Sequence, residues 1–149
     1  MKTIPTELKI IGVIHSNYKT TQEAPRQGLE VLSEIEIFKE FEEGLTDIQD
    51  FTHLHLFYWL HKSKGYNLMV NTPWDTKPHG VFVTRSPHHP NPLGYSVVSL
   101  LERKENVLRV MGLDAIDGTP VIDIKPYIKK IDMKSDSISG WSENTDFKF

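Results

Sequence analysis

The stretch Phe51-Thr52-His53-Leu54-His55-Leu56-Phe57-Tyr58-Trp59-Leu60-His61 decides the fold class. Read with the two-residue period of a strand, it places His53, His55, Phe57, Trp59 and His61 on one face. Leu54, Leu56, Tyr58 and Leu60 fall on the other. Working outward, the same period recurs on both sides. Residues 8–15 read as a buried strand with Gly12 marking a bulge. Residues 31–38 alternate more cleanly, with Val31, Ser33, Ile35 and Ile37 on one face and Leu32, Glu34, Glu36 and Phe38 on the other. Residues 81–84 form a short strand that stops at a proline-rich loop. Residues 95–103 and 107–113 flank the turn Lys104-Glu105-Asn106, and residues 120–124 supply a last strand. Helix is scarce: residues 40–48 offer a turn or two interrupted by Gly44, and residues 63–70 read either way. Short strands separated by turn signals predict an all-β barrel or sandwich with short helical insertions. The missing strand–helix alternation argues against a doubly wound sheet.

The chain has 149 residues, enough for one domain with a core of its own. It contains no cysteine, which excludes disulfides, thiolate metal sites, iron–sulfur clusters and a cysteine nucleophile. No apolar run approaches the roughly 20 residues of a membrane-spanning helix. The segment Met1-Lys2-Thr3-Ile4-Pro5 lacks the apolar centre of a signal peptide, so a cytoplasmic protein is expected. The net charge of -3 and pI of about 6.1 leave no overall basic footprint, so a polyanion would have to meet a local patch. Residues 129–149 turn polar, with Trp141, Phe147 and Phe149 dispersed among them. The expected organisation is a barrel over residues 1–128 and a tail over 129–149 that packs on the barrel or on a partner subunit.

Both common nucleotide cradles, G-x-G-x-x-G and the phosphate loop, are absent, as is the G-x-S-x-G elbow. His53-x-His55, with His61 as a third ligand, has the spacing of a strand-borne metal site; the plainer reading is that His53 and His55 hydrogen-bond to backbone inside a crowded barrel face. The most unusual stretch is Val83-Thr84-Arg85-Ser86-Pro87-His88-His89-Pro90-Asn91-Pro92-Leu93-Gly94. Three prolines in six residues stiffen it and leave little entropy to lose on binding. Arg85 offers a planar fork for a carboxylate or phosphate, with His88, His89 and Asn91 beside it. Pro25-Arg26-Gln27-Gly28 is a second polar loop. In Leu113-Asp114-Ala115-Ile116-Asp117-Gly118-Thr119-Pro120, Asp117 is expected to build the turn, while Asp114 is free for ribose hydroxyls or an ammonium group. Asp123, Lys125 and Tyr127 share one side of the last strand.

In order, these segments resemble the TsaA/TrmO-like family of S-adenosylmethionine-dependent tRNA adenine-N6-methyltransferases, which includes VirR-like small barrels. The matching pieces are Ile11-Gly12-Val13-Ile14-His15-Ser16, Pro25-Arg26-Gln27, Gly44-Leu45, Phe51-Thr52-His53-Leu54, Thr84-Arg85-Ser86-Pro87, Pro90-Asn91-Pro92-Leu93-Gly94, and the run from Leu113-Asp114 to Tyr127. The resemblance implies a single small β-barrel outside the Rossmann class, S-adenosylmethionine as cofactor, and a homodimer. It implies methylation of N6 on a threonylcarbamoyl-modified adenosine beside a tRNA anticodon. Carried over residue by residue, the cofactor contacts would be Pro25, Arg26, Gln27, His61, Lys62, Arg85, Tyr95, Gly112, Leu113 and Asp114. The substrate contacts would be His88, His89 and Asn91. His89 stands where family members commonly carry arginine, and imidazole lacks that permanent charge and bidentate fork.

On this reading the enzyme's task is to align an electrophilic methyl carbon with an exocyclic amine in a dry pocket. Arg26 or Arg85 pairs with the methionine carboxylate. The acceptor of the amine proton stays open among Asp117, Tyr127 and the histidines. Two rival readings carry their own tests. A small-molecule or RNA-binding barrel would bind without turnover, and a metal-dependent barrel enzyme using His53, His55 and His61 would carry stoichiometric metal.

Overall fold

A computed structural model describes residue 4, residues 7–24 and residues 30–145. Its central strand is β3 (His53–Trp59), paired antiparallel on one side with β6 (Leu93–Lys104) and on the other with β8 (Pro120–Pro126). The remaining barrel strands are β1 (Gly12–His15), β2 (Leu32–Ile37) and β7 (Val107–Met111). In the order β1-β2-β7-β6-β3-β8 they close into a six-stranded barrel, so the all-β barrel expectation holds and the sandwich does not. A separate two-stranded ribbon joins β4 (Met69–Val70) to β5 (His79–Gly80). No helix among the described residues is long and apolar enough to cross a membrane.

The inward faces follow the sequence period. Leu54, Leu56 and Tyr58 of β3 and Ser33, Ile35 and Ile37 of β2 are buried, and they meet Ile14, Val98, Leu108, Val110 and Val121 in one core. The 3₁₀ turn Lys39–Leu45 drops Leu45 into that core, with Phe41 against it. Pairing of β3 with β8 slips by one residue, from Phe57–Asp123 to Tyr58–Val121. The extra residue, Ile122, switches parity, so Val121 and Ile124 both point to the core while Asp123 and Lys125 point out.

Three local expectations are corrected. Gly12 is no bulge: it pairs in regular register with Ile37 and Val121, and a Cβ there would overlap the Glu36 carbonyl. Residues 81–83 form a 3₁₀ turn, Val81–Val83, instead of a strand, because only Val81 is buried and Phe82 and Val83 face outward. His53 and His55 lie on the outer face of the barrel, since the leucines and Tyr58 fill its interior.

After β8 the chain makes a single helical turn, α1 (Lys129–Asp132), and later a 3₁₀ turn, Gly140–Asn144. Asp132 bonds to His55, while Trp141 stacks on His79 (4.4 Å between ring centroids) and donates its indole N–H to the Val83 carbonyl at 2.8 Å. Phe147 and Phe149 lie outside the described residues.

Candidate functional site

Tyr58 faces the barrel interior among leucines, a position where a hydroxyl needs a partner. It finds two. Its hydroxyl donates to Asp114 Oδ1 at 2.8 Å and lies 3.0 Å from Ser96 Oγ, which donates back to it. The ring reaches them by lying over Gly94, its partner across β6, where any Cβ would overlap ring atoms. Asp114 follows β7 on the segment that leads to β8. Burial pushes its carboxyl up from the usual range, opposed by the Tyr58 hydrogen bond and by the charge of Arg85.

Arg85 sits on the proline-rich loop, which is tied down at several points. Ser63 donates to the Pro87 carbonyl at 2.8 Å, and the Asn67 N–H donates to the His88 carbonyl at 3.1 Å. His89 Nε2 donates to the Thr84 carbonyl at 3.1 Å, closing the loop on itself. The Leu60 N–H donates to the Pro92 carbonyl at 2.8 Å, so Pro90-Asn91-Pro92 anchors the start of β6 beside the end of β3. The Arg85 guanidinium lies 5.4 Å from the centroid of the Tyr95 ring, within cation–π range.

Between this loop and the barrel lies a cavity of about 720 Å³. That size suits a nucleoside-sized organic ligand. His61, Lys62, Arg85, Tyr95 and Asp114 of the expected cofactor contacts line it, as do His88 and His89 of the expected substrate contacts. Asn91 does not, nor do Gly112 and Leu113: Leu113 is core, and Gly112 turns the chain with φ of 96°. Pro25, Arg26 and Gln27 lie outside the described residues. His61 stands at the rim, its imidazole held below its ordinary value by partial burial and by Lys62, against a raising bond to the Trp59 carbonyl. Lys62 and Arg85 thus share the cavity with Asp114.

Tyr58, Leu60, Ser63, Gly94, Ile116 and Thr119 also line or brace this cavity and were not singled out from sequence. Tyr58 carried a signal: a hydroxyl at an inward position of an otherwise leucine face. Asp117 sits in the expected turn with Gly118, but Thr119, not its carboxylate, closes that turn, donating its N–H and hydroxyl to the Ile116 carbonyl, while Asp117 reaches across to the other strand end. Its Oδ1 accepts the Ser16 N–H at 3.0 Å and its Oδ2 pairs with Lys19 Nζ at 2.7 Å, latching the segment after β1 to the turn before β8.

The two histidines of β3 and His61 just after it do not converge. His53 Nδ1 pairs with Thr52 Oγ1 at 2.8 Å, and His55 bonds to Tyr95 and Asp132, whereas His61 belongs to the cavity rim. Their partners are side chains on the outer wall, not backbone within the barrel. Among the described residues no group of three or more His, Asp or Glu side chains is placed to hold a metal ion.

Comparison with known proteins adds a second line. The model of the tRNA-methyltransferase O N-terminal domain matches residues 13–133. A probable S-adenosyl-L-methionine-binding protein of Archaeoglobus fulgidus is 53% identical over 139 residues, 92% of this chain and 38% of that protein. The tRNA (adenine(37)-N6)-methyltransferase of Escherichia coli is 34% identical over 147 residues, 90% of this chain and 63% of that enzyme. The crystal structure of TrmO from Pseudomonas aeruginosa superimposes with a TM-score of 0.75 at 30% identity, covering 93% of this chain and 63% of that one. The chain therefore spans well under half of the first of these relatives and just under two thirds of the other two.

Proposed function

Because the chain belongs to the tRNA-methyltransferase O N-terminal domain family, we propose that its cavity binds S-adenosylmethionine and directs the methyl group to N6 of a tRNA adenosine. The proposed adenosine is the one at position 37, as in the name of the Escherichia coli relative; its threonylcarbamoylated form and its place beside the anticodon are added on the family resemblance alone. One observation carries the reading: the shielded Asp114 carboxylate, held by Tyr58, opens on the same cavity as Arg85. A ligand bearing both an amino-acid end and a sulfonium charge meets complementary groups there.

The bound cofactor supplies an electrophilic methyl carbon. Everything else falls to this chain. Asp114 takes the ammonium or the ribose hydroxyls, and Arg85 takes the carboxylate through charge-assisted bonds. Leu60 and Ile116 line the cavity with apolar surface that keeps water off the reacting atoms. The pinned loop presents His88 and His89 to the nucleoside with little ordering left to do. Alignment of this kind lowers a barrier by roughly 7–11 kcal/mol, enough to dominate catalysis where the nucleophile is a weak exocyclic amine.

Calorimetry with S-adenosylmethionine, with ATP as comparison ligand, tests the binding. Methyl incorporation into tRNA from a strain lacking the endogenous activity tests the transfer. Folded protein that binds no S-adenosylmethionine overturns the proposal, and binding without incorporation reduces it to a ligand-binding barrel. The homodimer and the cytoplasmic location are parts of the same proposal, supported by the family resemblance. Sedimentation showing a monomer at all concentrations removes the first.

A further inference from the structure

Beside the cavity, three side chains from three elements form one continuous hydrogen-bonded line. The Tyr95 ring (β6) lines the cavity, and its hydroxyl lies 2.9 Å from His55 Nδ1 (β3) on the outer wall. His55 Nε2 in turn lies 2.9 Å from Asp132 Oδ2 (α1), and the same oxygen accepts the Ile128 N–H at 2.7 Å. These bonds hold the Asp132 carboxyl below its usual range, so it is ionised near neutral pH. An ionised carboxylate only accepts, so Nε2 carries the imidazole hydrogen. In the neutral ring Nδ1 is then the acceptor, and the Tyr95 O–H donates to it. Asp132 thereby gives the resting line a direction: the Tyr95 O–H points away from the cavity, toward His55.

The line is well supported. The Tyr127 ring packs 5.4 Å from His55, and Tyr95 stacks on His55 at 5.8 Å with an 18° interplanar angle. His55 is 16% exposed and Asp132 25%, shielded enough for the bonds to persist. Other titratable or charged groups around it are His53 and Tyr127 on the same face, Lys125 opposite His55 in β8, Arg85 over Tyr95, and Lys134 near Asp132. Burial holds the Tyr95 hydroxyl above its ordinary value, so it stays protonated at rest and is suited to relay a proton.

We propose that Tyr95, His55 and Asp132 are the proton exit for methyl transfer to an exocyclic amine, an inference that rests on the function proposed above. In the step, the amine lone pair forms a bond to the methyl carbon, and the sulfur–carbon pair stays on sulfur as a neutral thioether. The nitrogen then sheds one hydrogen to Tyr95 Oη as the Tyr95 proton passes to His55 Nδ1. The resulting imidazolium is held by Asp132 until water takes the proton from this outer face. Tyr95 is the group that meets the substrate, while His55 and Asp132 act through it.

Four variants test this: Tyr95→Phe, His55→Gln, Asp132→Asn and, on the same outer face, His53→Gln as a control. Single-turnover methyl transfer should fall about 100-fold or more in Tyr95→Phe and His55→Gln, far more than S-adenosylmethionine affinity does. Asp132→Asn should fall less and His53→Gln not at all. A merely structural pin for the tail would lower stability without this split between rate and affinity. Nitrogen-15 NMR of the free protein supplies a readout that needs no turnover. His55 should be the Nε2–H tautomer, and Asp132→Asn should mix the tautomers. If His55→Gln fails to fold, Tyr95→Phe, which keeps the ring, decides alone. Undiminished transfer in Tyr95→Phe, or an Nδ1–H tautomer in the wild type, overturns the relay alone. Wild-type protein that transfers no methyl group overturns the proposed function, and the relay with it.

Discussion

The Tyr58 ring lies against Gly94, its partner across the β3–β6 pair, and this contact sets the hydroxyl 2.8 Å from Asp114. A strand position without a side chain thus aims an aromatic one at the shielded carboxyl of the cavity. Gly94→Ala should push the ring off this seat at a cost of about 1–3 kcal/mol, the usual range for overpacking. Urea denaturation measures the loss, and S-adenosylmethionine affinity should fall with it. Stability and affinity both at wild-type levels would show that the ring has another place to go.

Tyr58→Phe keeps the packing and removes the bond. Asp114 loses the interaction that most opposes its burial, so its carboxyl should titrate higher still. The deletion should cost about 1–3 kcal/mol, because it leaves a shielded carboxyl one partner short. Carbon-13 NMR of labelled Asp114 follows the titration directly; a midpoint that stays put or moves down contradicts the assignment.

Asp114 also links pH to binding. Its folded value lies above the ordinary carboxylate value, so the folded state holds its proton over a window where the unfolded state has lost it. Stability from this group therefore falls as pH rises from the ordinary carboxylate value through the raised one. Affinity for a cationic ligand moves the opposite way, rising over the same window as the carboxylate forms. Asp114→Asn should flatten both curves and weaken S-adenosylmethionine. Calorimetry at several pH values checks it, and a wild-type affinity independent of pH across the window would exclude Asp114 as the cation's partner.

Arg85→Ala should weaken S-adenosylmethionine by about 1.5–3 kcal/mol, the range for hydrogen bonds to charged groups. Arg85→Lys should recover only part of this, since an ammonium keeps the charge but loses the planar fork. Full recovery by lysine would mean that Arg85 acts as a point charge alone.

Acid should loosen the tail and the turn before β8 ahead of the barrel. Asp75 and Asp132, bonded to His79 and His55, and Asp117, bonded to Lys19, all titrate below the ordinary carboxylate range. Their contribution is complete above that range and is lost as pH falls through their depressed values. Trp141 stacks on His79, so its fluorescence should report release at the Asp75 site while far-ultraviolet circular dichroism still shows the barrel. Simultaneous loss of both signals would show one cooperative unit.

The barrel was legible because its faces obey a period of two. Leu54, Leu56 and Tyr58 against His53, His55 and Phe57 is a pattern that local spacing alone fixes, as is Ser33, Ile35 and Ile37. The turn before β7 was equally local: Glu105 takes φ of 55° between two β-rich runs. Phe82 and Val83 misled, since a β-branched and aromatic run predicts a strand unless no neighbour offers it an edge. At the site, Arg85, His88 and His89 announced themselves by crowding on a stiff loop. The Tyr58–Asp114 bond joins residues 56 apart and the His55–Asp132 bond residues 77 apart. Only closure of the cylinder and the return of the tail bring them together, and no short-range pattern encodes that.

That closure is uneven. The junction of β1 with β8 is knitted by two residue pairs, Gly12–Val121 and Val13–Pro120, against seven between β3 and β6. Amide deuteration should therefore begin along the β1–β8 seam. The staves that carry Tyr58, Gly94 and Tyr95 stand on the other side of β8 from it, so when the cask springs open at its shortest join they stay paired, while Ile116 and Thr119, the cavity lining beside the seam, are loosened with it.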